Sequence, residues 1–282
     1  RSSQRPGTRP FSPTANVSSV MSSISANAQV PPKRRVRESF DRSAASYDAA
    51  AVLQRRVCER LLAGCTPRSA PASILDAGCG TGFGARLLHK RWPAAAIVGV
   101  DFAPRMLSIA RHEAAVCVAA DIEALPFADQ RFALWWSSLT VQWCDLRLAL
   151  AEARRVLQPG GEVALSTLGP ETFRELREAF VGVDSYRHTL GFSEPQAVGE
   201  ALVQAGFSAI RVEREAVQLH YGDLRSLLRA VKEIGANSVG DDGRRGMLGR
   251  KAWQQVQSAY ERHRTVAGLP ARYDVILAYA RT

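Results

Sequence analysis

The sequence predicts an α/β fold: a seven-stranded mixed sheet with helices on both faces. Three observations carry this. Short β-branched runs alternate with helical patterns from about residue 50 onward, the signature of successive βαβ units. "ILDAGCGTGFG" (74–84) runs from a strand through a glycine-dense turn into a helix, the place where open α/β sheets bind ligands. A last pair of extended segments, 209–221 and 273–280, follows the alternating region and completes the seven.

The strands are expected at 73–78, 96–101, 115–121, 132–138 and 161–167, ahead of the terminal pair. Helices are expected near 83–91, 104–112, 146–157, 171–182, 195–205, 223–234 and 248–264. Residues 1–37 are rich in Ser, Arg, Pro and Ala, contain no Asp or Glu and show no periodicity, so they are expected to be a disordered leader. With Met21 inside that stretch, the first twenty residues read as upstream sequence or, from their Arg- and Ser-rich, acid-poor composition, as a transit peptide, and residues 38–282 as a single domain.

Composition narrows the chemistry. The 282 residues carry five scattered cysteines, with no zinc-ligand spacing, which points to a reducing, cytoplasmic setting and no metal. No run approaches the roughly 18 apolar residues that a membrane span needs. The formal charge of +10 suits an acidic partner or a basic solvated surface, and alone names neither.

Asp76 stands two residues before the first glycine of the turn. A diphosphate there would face a carboxylate at close range, whereas a cation would be attracted. S-adenosylmethionine, with a sulfonium, an ammonium and no phosphate, meets that condition. Gly78, Gly80 and Gly82 let backbone approach such a ligand. Asp101 ends the second strand, where a carboxylate can accept both ribose hydroxyls. Asp121 ends the third, where it can meet the adenine amino group between Phe102 and Ile122. Met106, Ser137 and Gln54 are placed with them as cofactor residues.

"WWSSLTVQWC" (135–144) contains no Asp, Glu, His or Lys. In-line methyl transfer needs a base only when the nucleophile carries a proton, and a carboxylate at neutral pH carries none. Gln142 and Trp143, with Tyr47, are therefore expected to position rather than to move protons. The stretch also lacks the Asp/Asn-Pro-Pro-Tyr/Phe signature of nucleic-acid base methylation. Alternation along the strand sends Trp135 and Trp136 to opposite faces.

The order of glycine turn and strand-end acids resembles the class I S-adenosylmethionine-dependent methyltransferases over roughly residues 40–282. "FDRSAASYDAAAVLQ", "STLGPETFREL" and "LLRAVKEIGANSV" resemble, more specifically, the malonyl-[acyl-carrier protein] O-methyltransferases of biotin synthesis. That resemblance implies a helical cap from segments 38–60, 168–192 and 222–268, and methylation of the free carboxylate of a malonyl thioester. The implied partner is an acidic acyl carrier protein rather than nucleic acid or membrane, with Arg225, Arg229, Lys232, Arg244, Arg245 and Arg250 available to steer it. Tyr47, Lys232, Arg174 and the backbone at Thr167–Gly169 are candidates to hold the malonyl carboxylate, while His188 and His220 are read as ordinary polar residues. Other readings are a methyltransferase acting on a quinone or a free acid, and a methyltransferase-like assembly factor without transfer activity.

Overall fold

The computed structural model describes residues 31–114, 116–186, 188–233 and 248–282. Its seven strands form one sheet: β1 (Ser73–Ala77), β2 (Ala96–Asp101), β3 (Val116–Ala119), β4 (Phe132–Ser138), β5 (Leu157–Leu168), β6 (Ser208–Tyr221) and β7 (Leu269–Arg281). The order is β3-β2-β1-β4-β5-β7-β6. β1 to β5 run parallel, and β7 inserts antiparallel between β5 and β6. The chain builds outward from β1 to β3, then returns to place β4 on the other side of β1. That reversal opens a crevice at the carboxyl ends of the central strands.

Helices α3 (Phe83–Arg91), α4 (Pro104–Ala110) and α5 (Leu146–Val156) accompany the parallel strands. In α5 the side chain of Asp145 accepts from the backbone N–H of Arg147 at 2.9 Å, and Ala149, Leu150, Ala153 and Val156 form the buried stripe. α1 (Lys33–Ala50) and α2 (Val52–Gly64) precede the sheet; α6 (Arg174–Phe180) and α7 (Pro195–Gln204) lie between β5 and β6; α8 (Leu224–Glu233) and α9 (Arg250–Glu261) lie between β6 and β7. No described helix is long and apolar enough to cross a membrane.

Two cores follow from strand alternation. Leu134 and Trp136 of β4 pack with α2, α3, α6, α8 and α9 on one face. Trp135 packs with α5 and α7 on the other, so the two tryptophans do part as alternation requires.

Some boundaries differ from expectation. α1 starts at Lys33, ahead of residue 38, because the Lys33 ammonium is anchored by Asp121 and Glu123, contacts that composition does not reveal. β5 starts at Leu157, directly after α5, and carries "QPGG" within the strand. β3 ends at Ala119, which leaves Asp121 beyond the strand. α6 starts at Arg174 rather than 171, since residues 169–173 form a turn held by β7. There Glu171 N–H donates to Asp274 Oδ2 at 3.1 Å, and the Thr172 hydroxyl accepts from Asp274 N–H at 3.0 Å.

Candidate active site

The glycine turn follows β1 directly. Gly78, Gly80 and Gly82 all have positive φ. A Cβ at Gly80 would meet nothing within 4 Å, which leaves that side of the turn open to a ligand. Gly82 serves packing instead, since a Cβ there would press on Glu113 and Ala110. Asp101, at the end of β2, accepts from Gly80 N–H at 3.0 Å and from Ala103 N–H at 2.8 Å. Its carboxylate therefore shapes the turn before it meets any ligand. Burial pushes its pKa up to about 6, against the lowering effect of those two bonds.

Asp76 lies deeper. Burial, with the charge of Asp101 adding to it, pushes its pKa up to about 7. Its Oδ2 has no hydrogen-bond partner, and neither has the indole nitrogen of Trp136. Both atoms would lie within 3.4 Å of a Cβ at Gly84, so the approach of α3 depends on glycine there. An unpartnered, buried carboxylate close to a second one suits a cationic ligand.

α1 forms the outer wall and is tied down along its length. Lys33 pairs with Asp121 and Glu123, Asp41 accepts from Arg105 N–H at 3.0 Å, and Asp48 accepts from the Thr81 hydroxyl at 2.6 Å. Three compartments meet behind this wall. The first is lined by Asp101, Phe102, Met106, Asp121, Ile122 and Lys33. The second holds Asp76, Gly84, Trp136, Cys58 and Gln54. The third is mostly apolar, with Leu53, Leu168, Phe173, Phe192, Leu228 and Val231 among its walls. Tyr47 borders all three. Burial, with Asp101 and Asp48 nearby, raises its phenol pKa and keeps it protonated.

The structure brings several of the expected residues together. Asp76, Gly78, Gly80, Asp101, Phe102, Met106, Asp121 and Ile122 line the joined clefts, as do Gln54, Gln142 and Trp143. Trp143 meets Phe40 edge to face at 5.6 Å, and Gln142 donates to Leu139 O at 2.6 Å.

Others do not. Ser137 is fully buried and donates to Ala77 O at 2.8 Å, so it braces β1 against β4; its neighbour Ser138, on the face of Trp136, lines the cleft. Thr167 is buried and donates to Gln142 Oε1 at 3.4 Å. Arg174 points outward in ion pairs with Glu171 and Glu178. Asp121, which does line the cleft, is also paired with Lys33. Arg244 and Arg245 lie outside the described residues, as does the side chain of Lys232.

A family model described as "Methyltransferase domain" matches residues 75–165. A malonyl-[acyl-carrier protein] O-methyltransferase of Dechloromonas aromatica is 50% identical over 252 residues, spanning 89% of this chain and 95% of that protein. The chain belongs to the malonyl-[acyl-carrier protein] O-methyltransferase family. Another malonyl-[acyl-carrier protein] O-methyltransferase, from Laribacter hongkongensis, is 43% identical over 88% of this chain and 89% of its own length. Among solved structures, a SAM-dependent methyltransferase from Thermotoga maritima superposes with a TM-score of 0.54 at 19% identity, covering 86% of this chain and 98% of that one; at that identity the likeness concerns the fold.

Within this malonyl-[acyl-carrier protein] O-methyltransferase family member, sequence reading missed two site residues. Lys33 sits 88 positions from Asp121, and no local pattern announces such a pair. His188 lines the third compartment. Its signal was the four-residue spacing from Asp184, which brings the imidazole to 2.7 Å from that carboxylate.

Proposed function

We propose that this chain transfers the methyl group of S-adenosylmethionine to the free carboxylate of a malonyl thioester on acyl carrier protein, giving the malonyl methyl ester that primes biotin synthesis. The observation that carries the reading is the junction at Tyr47. Two buried carboxylates made for a cation adjoin, across one side chain, an apolar acceptor compartment that no described Asp, Glu or Lys lines.

In this reading Asp76 faces the positive end of the cofactor, Asp101 takes the ribose hydroxyls with its remaining lone pairs, and Asp121, Phe102, Met106 and Ile122 surround the adenine. Gln54 and Ser138 close the amino-acid end. S-adenosylmethionine, when bound, supplies a methyl group on a sulfonium that leaves as a neutral thioether. The protein's own task is alignment and exclusion of water. Phe40, Leu139 and Trp143 line both the first and the third compartment and stand between them. Tyr47 keeps its proton and can donate a hydrogen bond at the junction. The acceptor arrives ionised, so no group has to remove a proton from it.

The described parts of segments 38–60, 168–192 and 222–268 act as the cap, and the basic surface supports recognition of an acidic carrier. Arg225 and Arg229 are exposed on α8, whose Leu228 and Val231 line the acceptor compartment.

The test is methyl transfer from labelled S-adenosylmethionine to malonyl-carrier protein, with acetyl-carrier protein as control. Labelling of the malonyl form alone is the expected result. No labelling with cofactor binding intact would move the function to another small acid, a quinone, or a role without transfer.

A further inference from the structure

The acceptor compartment must hold a carboxylate, yet its described walls offer little charge. Leu53, Phe192, Leu228 and Val231 are apolar. Gln54, Gln142 and Thr189 are neutral, and the two phenols stay protonated: burial raises the pKa of both Tyr47 and Tyr273. Arg174 is turned away. The one described lining side chain able to carry positive charge is His188.

We infer that His188 is the anchor of the malonyl carboxylate, holding one of its oxygens as an imidazolium backed by Asp184. The inference rests on the proposed function and adds to it the group that recognises the substrate's acid.

The ring is held on two sides. Its Nε2 lies 2.7 Å from Asp184 Oδ1, and its face stacks on Phe180 with centroids 3.4 Å apart and planes 16° from parallel. An ionised carboxylate only accepts hydrogen bonds, so Nε2 donates to Asp184. Nδ1 has no partner among the described residues and is the atom left for a ligand. To donate to a substrate carboxylate, Nδ1 must carry a proton as well, which makes the ring a cation. Asp184 on one edge and the Phe180 ring beneath fix the plane of the imidazole. The titratable groups that share the compartment, Tyr47 of α1 and Tyr273 of β7, bring no competing charge.

A single imidazolium N–H also suits the chemistry better than a guanidinium would. An arginine fork binds both carboxylate oxygens. His188 takes one and leaves the other to attack. In the transfer a new oxygen–methyl bond forms as the sulfur–methyl bond breaks, and the proton stays on Nδ1. The carboxylate's negative charge and the sulfonium's positive charge cancel, so the ester product has no anion with which to pair. Loss of that pairing weakens the grip on product relative to substrate.

The experiment compares wild-type protein with His188→Gln and with His188→Phe, the latter keeping an aromatic ring on Phe180. The KM for malonyl-carrier protein and the Kd for S-adenosylmethionine are both measured, the second also reporting an intact fold. The expected result is a rise in malonyl KM of about tenfold or more in both variants, the size of a lost charge-assisted hydrogen bond, with cofactor Kd within about twofold. An unchanged malonyl KM in either variant that still binds cofactor overturns the anchor. Failure of the wild-type protein to methylate malonyl-carrier protein overturns the proposed function itself, and the anchor with it.

Discussion

Asp76 and Asp101 open onto one cleft, and the charge of Asp101 adds to burial in raising the pKa of Asp76 to about 7. Asp101 itself is raised to about 6 by burial. Each carboxylate thus holds its proton in the folded chain at pH values where the unfolded chain, with a carboxyl pKa of about 4, has lost it. Folding then binds protons between about pH 4 and pH 7, and the cofactor-free protein loses stability as pH rises through that window.

Binding of a cationic cofactor should run the other way. Ionised Asp76 and Asp101 attract it, so affinity for S-adenosylmethionine should rise from pH 5 to pH 8 as protons are released. Calorimetry in buffers of different ionisation enthalpy measures that release directly. Asp76→Asn should reduce it and flatten the pH slope.

Tyr47→Phe removes the hydroxyl at the meeting point of the three compartments while keeping the ring that packs beside Phe40. The expected outcome is a fall in kcat of about tenfold or more, with cofactor affinity nearly unchanged. Steady-state kinetics set beside cofactor titration separates the two.

Lys33 brings a positive charge into the compartment where a positive ligand is to bind, and it occupies Asp121. Lys33→Met should therefore tighten S-adenosylmethionine binding by about two- to fivefold, a gain in the range of a partly exposed charge interaction. The gain should shrink at high salt. Titration at two ionic strengths checks both.

The positions of Asp76 and Asp101 were legible because they are local, a strand, a turn and a carboxylate within a few residues of one another, whereas Asp121 falls two residues past the end of β3. Strand alternation was also sufficient to separate Trp135 from Trp136, and carried one step further it favours Ser138 over Ser137, since 136 and 138 share a face. Lys33, the turn at 169–173 and the outward turn of Arg174 were not legible. Each depends on which distant segment arrives beside it, and one-dimensional pattern holds no record of that.

Gly169 marks such a place. A Cβ there would stand 2.4 Å from Asp274 Oδ2, the same carboxylate that takes both a 2.7 Å and a 2.8 Å bond from Arg214. Gly169→Ala should cost about 1–3 kcal/mol by overpacking and raise the malonyl KM more than the cofactor Kd. Gly199→Ala, inside α7 and with only a 3.7 Å contact to the Val212 side chain of β6, should instead gain up to about 1 kcal/mol. Denaturant unfolding of both variants gives the comparison.

Carrier docking has its own test. Reversing Arg225 and Arg229 to Glu should raise KM for malonyl-carrier protein several-fold and leave malonyl-pantetheine, which lacks the acidic protein, almost unaffected. Equal effects on the two substrates would remove the docking role of this helix.

The clamp between the 169–173 turn and β7 also bears on how the molecule acquires its shape. Thr172 and Asp274 are 102 residues apart in the chain, and β7 must slide between β5 and β6 before either can be held. The parallel strands that cradle the glycine turn emerge from the ribosome well before this partner does. Contacts of such long separation form slowly, and the 169–173 turn can be pinned only once β7 has been made.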